Sequence, residues 1–363
     1  VARASTGGIF CVATQGAEHL DAERLRHLLA PLAPTFLPFE RARKLRSCAG
    51  LLRAAFTRRP DLIVMEGTGM AGGLALLMAN ALLGVPYVVS SGDAVGPYLR
   101  LRSRPAGLLG AVYERLLCRR CAGFIGWSPY LVGRALTFGA PRGITAAGWS
   151  RTAPTAGARA RVRGRLGVPE DVLLVGLVGS LNWRAQVSYA YGAELVRAVR
   201  RLARRDVVAL VVGDGPGRAH LEEMAGEDLG SRILLPGRVP AEEVADHLAA
   251  LDLASLPQSV DGVGSFRYTT KLSEYLAASL PIVTGQIPAA YDLDNGCLWR
   301  LPGKAPWSQR YVDSLVDLLE GLDREELARR RDAAARHPGE PFDAAAQQRR
   351  ACAFVREILA ERR

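Results

Sequence analysis

Lys271 stands in the stretch SFRYTTKLSEYLAASLP, Ser265 to Pro281, and is one of only three lysines in a chain whose other basic residues are arginine. Thr269 and Thr270 can cap a helix, which puts Lys271 in its first turn. A helix N-terminus already carries about half a positive charge. A lysine there is unfavourable unless something negative is bound. Backbone N–H groups, the dipole and an ammonium converging on one spot make a phosphate site. Glu274 lies three residues on, on the same helical face. A carboxylate only accepts hydrogen bonds, so it suits a pair of sugar hydroxyls. Phosphate donors beside a hydroxyl acceptor describe a nucleoside diphosphate with its ribose. The competing reading needs no ligand: Glu274 complements the dipole or pairs with Lys271 on the surface.

Three further segments add to the first reading. In GSLNWRAQ, Gly179 lets backbone approach a ligand closely, Ser180 offers a hydroxyl, and Arg184 can reach a phosphate. VVGDGPG, Val211 to Gly217, reads as a strand and a tight glycine turn, with Asp214 capping the next helix. In LLPGRVP, a strand ends where a base edge can meet backbone groups near Arg238 and Val239.

These residues need a frame to hold them. From Gly8, apolar runs alternate with amphipathic segments: IFCVATQG, TFLPF, DLIVMEG, PYVVSSGD and GFIGWS read as strands separated by helices. Runs of Val, Ile and Leu without polar alternation mean strands buried on both faces. Their repetition with helices gives a doubly wound parallel sheet. The polar, basic stretch TAPTAGARARVRGRLGVPED interrupts the series and marks a junction. A second series follows: DVLLVGLVGS, VVALVVGDG, RILLPGRV, LDLASLPQS, PIVTG and CLWRLPG. The expected fold is α/β, with two Rossmann-like doubly wound parallel-sheet domains, residues 1–165 and 166–343, facing a cleft. A last helix, within 344–363, is expected to fold back on the first domain. Ligands of such sheets sit at the carboxyl ends of the strands.

Composition bounds the function. The net charge of +11 is mostly arginine and favours polyanions: nucleic acid, an anionic membrane surface or phosphorylated substrates. The arginines are not interleaved with aromatics in a nucleic-acid module, which argues against nucleic acid. The basic stretch from Tyr98 to Cys121 is either a solvated face or a surface that docks on anionic lipid. Six cysteines lack a disulfide-framework spacing, and the Cys118–Cys121 pair has no second pair to complete a zinc site. The chain therefore reads as reduced and cytoplasmic, with peripheral attachment at the inner face of the plasma membrane as an option. No signal-peptide pattern is visible. The most apolar run, Gly72 to Val89, is broken by Asn80, Gly84 and Pro86, and reads as a buried helix, a turn and a buried strand rather than a span. Much Ala, Gly and Arg is a composition associated with high-GC bacteria.

With VGLVGS…R, VVGDGP, RILLPGRVPAEEV and TTKLSEYLAASLPIVTG in that order, the chain resembles the GT-B glycosyltransferases, specifically the retaining family four, or "glycosyl transferases group one". The resemblance covers nearly all of the C-terminal half and extends more loosely to RPDLIVMEG, LLGVPYVVSSGD and YERLLCRRCAGFIGWSPY. It implies a nucleotide-sugar donor on the second domain. Glu274 then holds the ribose, and Arg184 and Lys271 neutralise the diphosphate. Gly179, Ser180, Thr269 and Thr270 belong to the same donor site, and the backbone around Arg238 and Val239 meets the base. The acceptor, a glycan, a lipid-linked or a small molecule, is implied near Gly16, Thr68 and Asp93. Phe266 stands where the family's first motif glutamate is expected, which moves the sugar contact to Asp261 or to amides near Tyr268. No metal and no cofactor are expected, because arginine, lysine and a helix N-terminus replace a divalent cation.

The implied reaction moves a sugar from a nucleotide diphosphate to an acceptor hydroxyl, with retention. Two rivals remain at this level. A GT-B sugar-nucleotide 2-epimerase needs acidic and histidine groups for proton abstraction, and His220 and His247 read as surface helix positions. A non-catalytic sugar-nucleotide or anion-binding module needs only the pocket.

Overall fold

The structure, a computed structural model, describes residues 8–361 apart from Ala17, Arg151 and Pro338. The first half runs β1 (Ile9–Ala13), α1 (Leu20–Leu29), β2 (Thr35–Leu37), α2 (Lys44–Arg58), β3 (Leu62–Glu66), α3 (Met70–Leu83), β4 (Tyr87–Ser91), α4 (Val95–Arg100), α5 (Arg104–Arg120), β5 (Gly123–Gly126), α6 (Pro129–Thr137) and β6 (Gly143–Thr145). The strands form one parallel sheet in the order β2-β1-β3-β4-β5-β6. Every residue of β1, β3 and β4 is buried, as unbroken apolar runs require of strands covered on both faces. Each such Val, Leu or Ile contributes about 1.5–3 kcal/mol through burial.

The second half runs α7 (Ala158–Leu166), β7 (Leu173–Val178), α8 (Ala193–Arg201), β8 (Val207–Val212), α9 (Arg218–Ala225), β9 (Ile233–Gly237), α10 (Val244–Ala249), β10 (Leu253–Leu256), α11 (Thr270–Ala277), β11 (Ile282–Gly285), α12 (Ala289–Asp292), β12 (Leu298–Leu301), α13 (Gln309–Gly321), α14 (Arg324–Ala335) and α15 (Ala344–Ala360). Its sheet is parallel in the order β12-β11-β10-β7-β8-β9. The chain winds outward from β7 through β8 to β9, then returns to the other side of β7 as β10. The topological switch therefore lies between β7 and β10, and the crevice outside their carboxyl ends is where such a sheet takes a ligand.

Two compact units result: Val1–Gly148 with Phe266–Tyr268 and Glu340–Arg363, and Trp149–Ser265 with Thr269–Gly339. The division falls before α7 rather than at 165/166. Arg159 and Arg163 of α7 explain the shift, because both pair with Asp252 at the entry to β10, at 2.8 and 3.2 Å. Arg163 is almost fully buried and also donates to the carbonyls of Ala250 and Pro169. In the first unit, α15 lies on α1, with the Gln348 amide donating to His27 O at 2.6 Å.

One smaller reading changes. The apolar run from Gly72 does form a helix, a Gly84 turn and β4, but α3 is not buried all round: Leu74, Met78 and Leu82 face solvent. No described helix is long and apolar enough to cross a membrane. Cys118 and Cys121 sit in the core of the first unit, where burial pushes both thiols above their ordinary range.

Candidate functional site

In the second unit, β7 ends at Val178 and the next backbone groups form steps across the sheet edge. Gly179 N–H donates to Val212 O (2.9 Å), and Gly213 N–H donates to Gly237 O (2.8 Å). A Cβ on Gly213 would lie 1.8 Å from Gly179 O, so only glycine fits there. Asp214 does not cap α9; its Oδ1 accepts the N–H of Gly215 at 2.8 Å, and Gly217 stands at the cap position.

Helix α11 begins where expected, with Thr269 extended at the N-cap and Lys271 in the first turn. The threonine hydroxyls do not cap it. Thr269 Oγ1 is buried without a hydrogen-bond partner. Among the described residues, the N–H groups of Thr270 and Lys271 also have no acceptor. A buried unsatisfied hydroxyl costs about 1–3 kcal/mol.

The Lys271 side chain reaches from α11 to the β7 loop. A Cβ on Gly179 would stand 2.6 Å from its Cε and 2.9 Å from its Nζ. Its ammonium lies 5.0 Å from the centroid of the Tyr191 ring. It makes no ion pair with a carboxylate among the described residues, so the surface pair with Glu274 is not formed. Arg184 is held by its backbone, which exchanges hydrogen bonds with Tyr189 at 2.8 and 3.3 Å, and its guanidinium lies 5.9 Å from the Trp307 ring.

Glu274 has other neighbours. It lines a small depression with Thr152, Pro154 and Val244, the last on the helix that follows Arg238 and Val239. Arg238 is exposed, Val239 half-buried and Ser180 exposed. Asp261 is exposed, but its Oδ1 accepts the N–H groups of Val263 and Gly264 at 2.8 and 2.9 Å.

A buried carboxylate ties these parts together. Glu194 of α8 accepts from Tyr189 Oη (2.9 Å), Gly192 N–H (3.2 Å) and Ser255 Oγ of β10 (3.0 Å). Tyr275 of α11 donates to Ser255 O at 3.0 Å. The loop carrying Tyr191 and the helix carrying Lys271 thus share one residue of β10 as an anchor. Burial pushes the Glu194 carboxyl above its ordinary value, against the hydrogen bonds it accepts.

Comparison with known proteins gives the family. Residues 173–320 match the family described as "Glycosyl transferases group 1", and residues 4–147 match "Glycosyl transferase 4-like domain". A 2-deoxystreptamine glucosyltransferase of Streptomyces kanamyceticus is 30% identical over 284 residues, covering 71% of this chain and 68% of the relative. The chain is a group 1 glycosyltransferase. Its fold is similar to that of Anabaena HepE in complex with UDP, at 17% identity and a TM-score of 0.73, over 96% of this chain and 100% of the other. Sucrose-phosphate synthase from Thermosynechococcus elongatus has a similar fold, at 14% identity and a TM-score of 0.69, over 98% of this chain and 100% of the other. The GT-B architecture is therefore shared, and the family matches and the 30% identical glucosyltransferase relative put the transferase ahead of the 2-epimerase.

In this glycosyltransferase the first unit presents Gly16, Thr68 and Asp93 after the carboxyl ends of β1, β3 and β4. Gly16 is half-buried with φ +117°, and Thr68 O accepts from Tyr113 Oη at 3.3 Å. Asp93 is already engaged, since Arg267 Nε donates to its Oδ1 at 2.6 Å. The Tyr268 ring packs edge-on against Tyr130 (5.7 Å) and beside Phe342 (5.8 Å) in the first unit.

Sequence reasoning missed what lies beneath these loops. Arg24 and Glu66 form a buried ion pair at 2.7 Å, 3% and 1% exposed. Glu66 also accepts from Trp127 Nε1 (3.0 Å), and Arg24 donates to Ser90 Oγ (3.1 Å) and to Ala146 O. Burial pushes Glu66 up and Arg24 down, and each opposes the other's shift. Tyr191, Glu194 and Trp183, whose ring stacks on His220 at 3.8 Å, were also missed. His220 and His247 are not simple surface positions: His247 is buried, with Nδ1 2.9 Å from Glu243 O. The aromatic run YAY before α8 was the available signal for Tyr191. Among the described residues no group of three His, Cys, Asp or Glu could hold a metal ion.

Proposed function

We propose that the enzyme takes its sugar from a nucleoside diphosphate held at the carboxyl edge of the second unit. The carrying observation is the Lys271 ammonium, set beside Gly179 with no carboxylate partner among the described residues and two unsatisfied helix N–H groups at its base. Together with Arg184 these groups offer charge-assisted donors to a diphosphate. The order along the edge suits one ligand. Arg238 and Val239 precede α10 and would meet the base. Glu274 lies beside α10 and would take the ribose hydroxyls, and Lys271 comes next for the phosphates. Gly179, Ser180, Thr269 and Thr270 would complete the donor site. Asp261 has one carboxylate oxygen engaged, so the other would serve the sugar. HepE's complex with UDP supports a donor of this class.

In the proposed reaction the bond from the anomeric carbon to the phosphate oxygen breaks, and the acceptor oxygen bonds to that carbon. The acceptor proton passes to a diphosphate oxygen. Lys271 and Arg184 stabilise the charge left on the diphosphate, so no metal ion is needed. Retention follows from the resemblance of TTKLSEYLAASLPIVTG to the retaining family. The acceptor, a glycan, a lipid-linked or a small molecule, would meet the loops at Gly16, Thr68 and Asp93. The six unpaired cysteines fit a reducing compartment, the cytoplasm.

The test is release of nucleoside diphosphate from a nucleotide sugar in the presence of a chelator. Lys271→Met should lower the rate by about 10²–10³-fold with unchanged melting. Full activity of that variant, or activity abolished by the chelator, would contradict the reading.

A further inference from the structure

Helix α5 has a face that the core does not use. Leu108, Leu109, Val112 and Leu116 are 70, 61, 58 and 44% exposed. At about 100° per residue they fall within one arc of roughly 100°. Arg119 falls within that arc, Arg115 and Arg104 lie within about 40° of its edge, and all three are exposed. The opposite arc, with Gly110, Tyr113, Glu114 and Leu117, is buried. Leading into α5, Tyr98 and Leu101 are also exposed, as are Arg100 and Arg102. Helix α3 adjoins α5 through Gly73 and Tyr113, and turns Leu74, Met78 and Leu82 to solvent without a charged residue of its own. A patch of this extent marks an interaction surface.

We propose that the exposed faces of α3, α4 and α5 rest on an anionic lipid bilayer. Charge decides the occupant. The one acidic residue between Val95 and Arg120 is Glu114, which is buried and accepts both Nε and Nη2 of Arg134 at 2.8 Å. The surface is therefore apolar and arginine-rich with no exposed carboxylate. A second copy of this chain would set the same arginines against one another, so a self-complementary dimer through this face is disfavoured. Lipid provides both complements at once: acyl chains for the leucines and anionic headgroups for arginines that snorkel outward. Tyr98 has the amphipathic ring found at membrane interfaces. Helix α4 leaves the carboxyl end of β4 just after Asp93, so the bilayer would lie beside the proposed acceptor loops. An acceptor carried on lipid follows, and only that last step rests on the proposed function.

The test is co-sedimentation of the full chain with vesicles of phosphatidylglycerol in phosphatidylcholine, and with pure phosphatidylcholine, at low and high salt. The wild type should bind the anionic vesicles selectively, and salt should weaken that binding. Leu108→Ser with Leu109→Ser should reduce it. Arg104→Glu with Arg115→Glu and Arg119→Glu should reduce it by about tenfold or more. Unchanged thermal melting and circular dichroism of both variants would show that their folds are intact. Equal binding to neutral vesicles, no binding by the wild type, or indifference to the charge reversals would overturn the proposal. A dimer in solution that Leu108→Ser and Leu109→Ser dissolve would overturn it in favour of a second copy.

Discussion

Replacing Gly179 by alanine should separate activity from stability. The new Cβ would stand 2.6 Å from Lys271 Cε and 2.9 Å from Nζ. Carbon atoms in favourable contact are about 3.5–4.0 Å apart, so the lysine must retreat by about 1 Å. It can do so, because the clash is with the end of a flexible side chain and not with backbone. Gly179 is not in a left-handed conformation, so alanine fits the chain path. It should leave melting unchanged or raise stability slightly, by about 0.4–1 kcal/mol. The displaced ammonium should lose a charge-assisted contact to the diphosphate, worth about 1.5–3 kcal/mol. That is about 10- to 10²-fold in affinity. Calorimetric titration beside thermal melting reads both quantities. Unchanged affinity would refute the placement of Lys271. Affinity and melting falling together would show that Gly179 serves the fold rather than the ligand.

Tyr191→Leu should weaken nucleoside-diphosphate binding several-fold, in line with about 0.5–2 kcal/mol for a cation over an aromatic face. Tyr191→Phe should restore it, and equal loss in both variants would point to the hydroxyl instead. Arg163→Met should lower stability in denaturant titration by about 1–3 kcal/mol, because it leaves the Pro169 carbonyl without its guanidinium donor, while Asp252 keeps Arg159. A loss below about 1 kcal/mol would show that α7 is not anchored there. Because the folded Glu194 carboxyl lies above its ordinary value of 4.5, its proton contributes stability fully below that pH. The contribution is lost as pH rises through the folded value. The stability of the wild type relative to Glu194→Gln should therefore fall with rising pH above about 4.5. A difference that grows with pH would contradict the shift.

The sheets were legible because their strands are buried on both faces: LIVME and VVALVV admit little else. Strand β6 was not, since Gly143–Thr145 is three half-buried residues with no apolar run. Helix α7 was read as a linker because ARARVRGRL carries four arginines, yet burial of Arg163 is what docks it. Lys271 was found from its position in a helix's first turn, which is a local property. What fixes it, the Tyr191 face and the shared anchor at Ser255, joins residues far apart in sequence. The buried Arg24–Glu66 pair was hidden for the same reason, as a glutamate ending LIVME looks like an ordinary strand exit until Arg24 is seen beneath it.

The central claim is a diphosphate site at Lys271, and calorimetric titration with UDP, GDP and ADP tests it most directly, for the wild type beside Lys271→Ala and Glu274→Ala. The account predicts that one nucleotide binds selectively and that both changes weaken it, Lys271→Ala by about 10- to 10²-fold. No binding by well-folded wild type, or binding indifferent to Lys271, would contradict it.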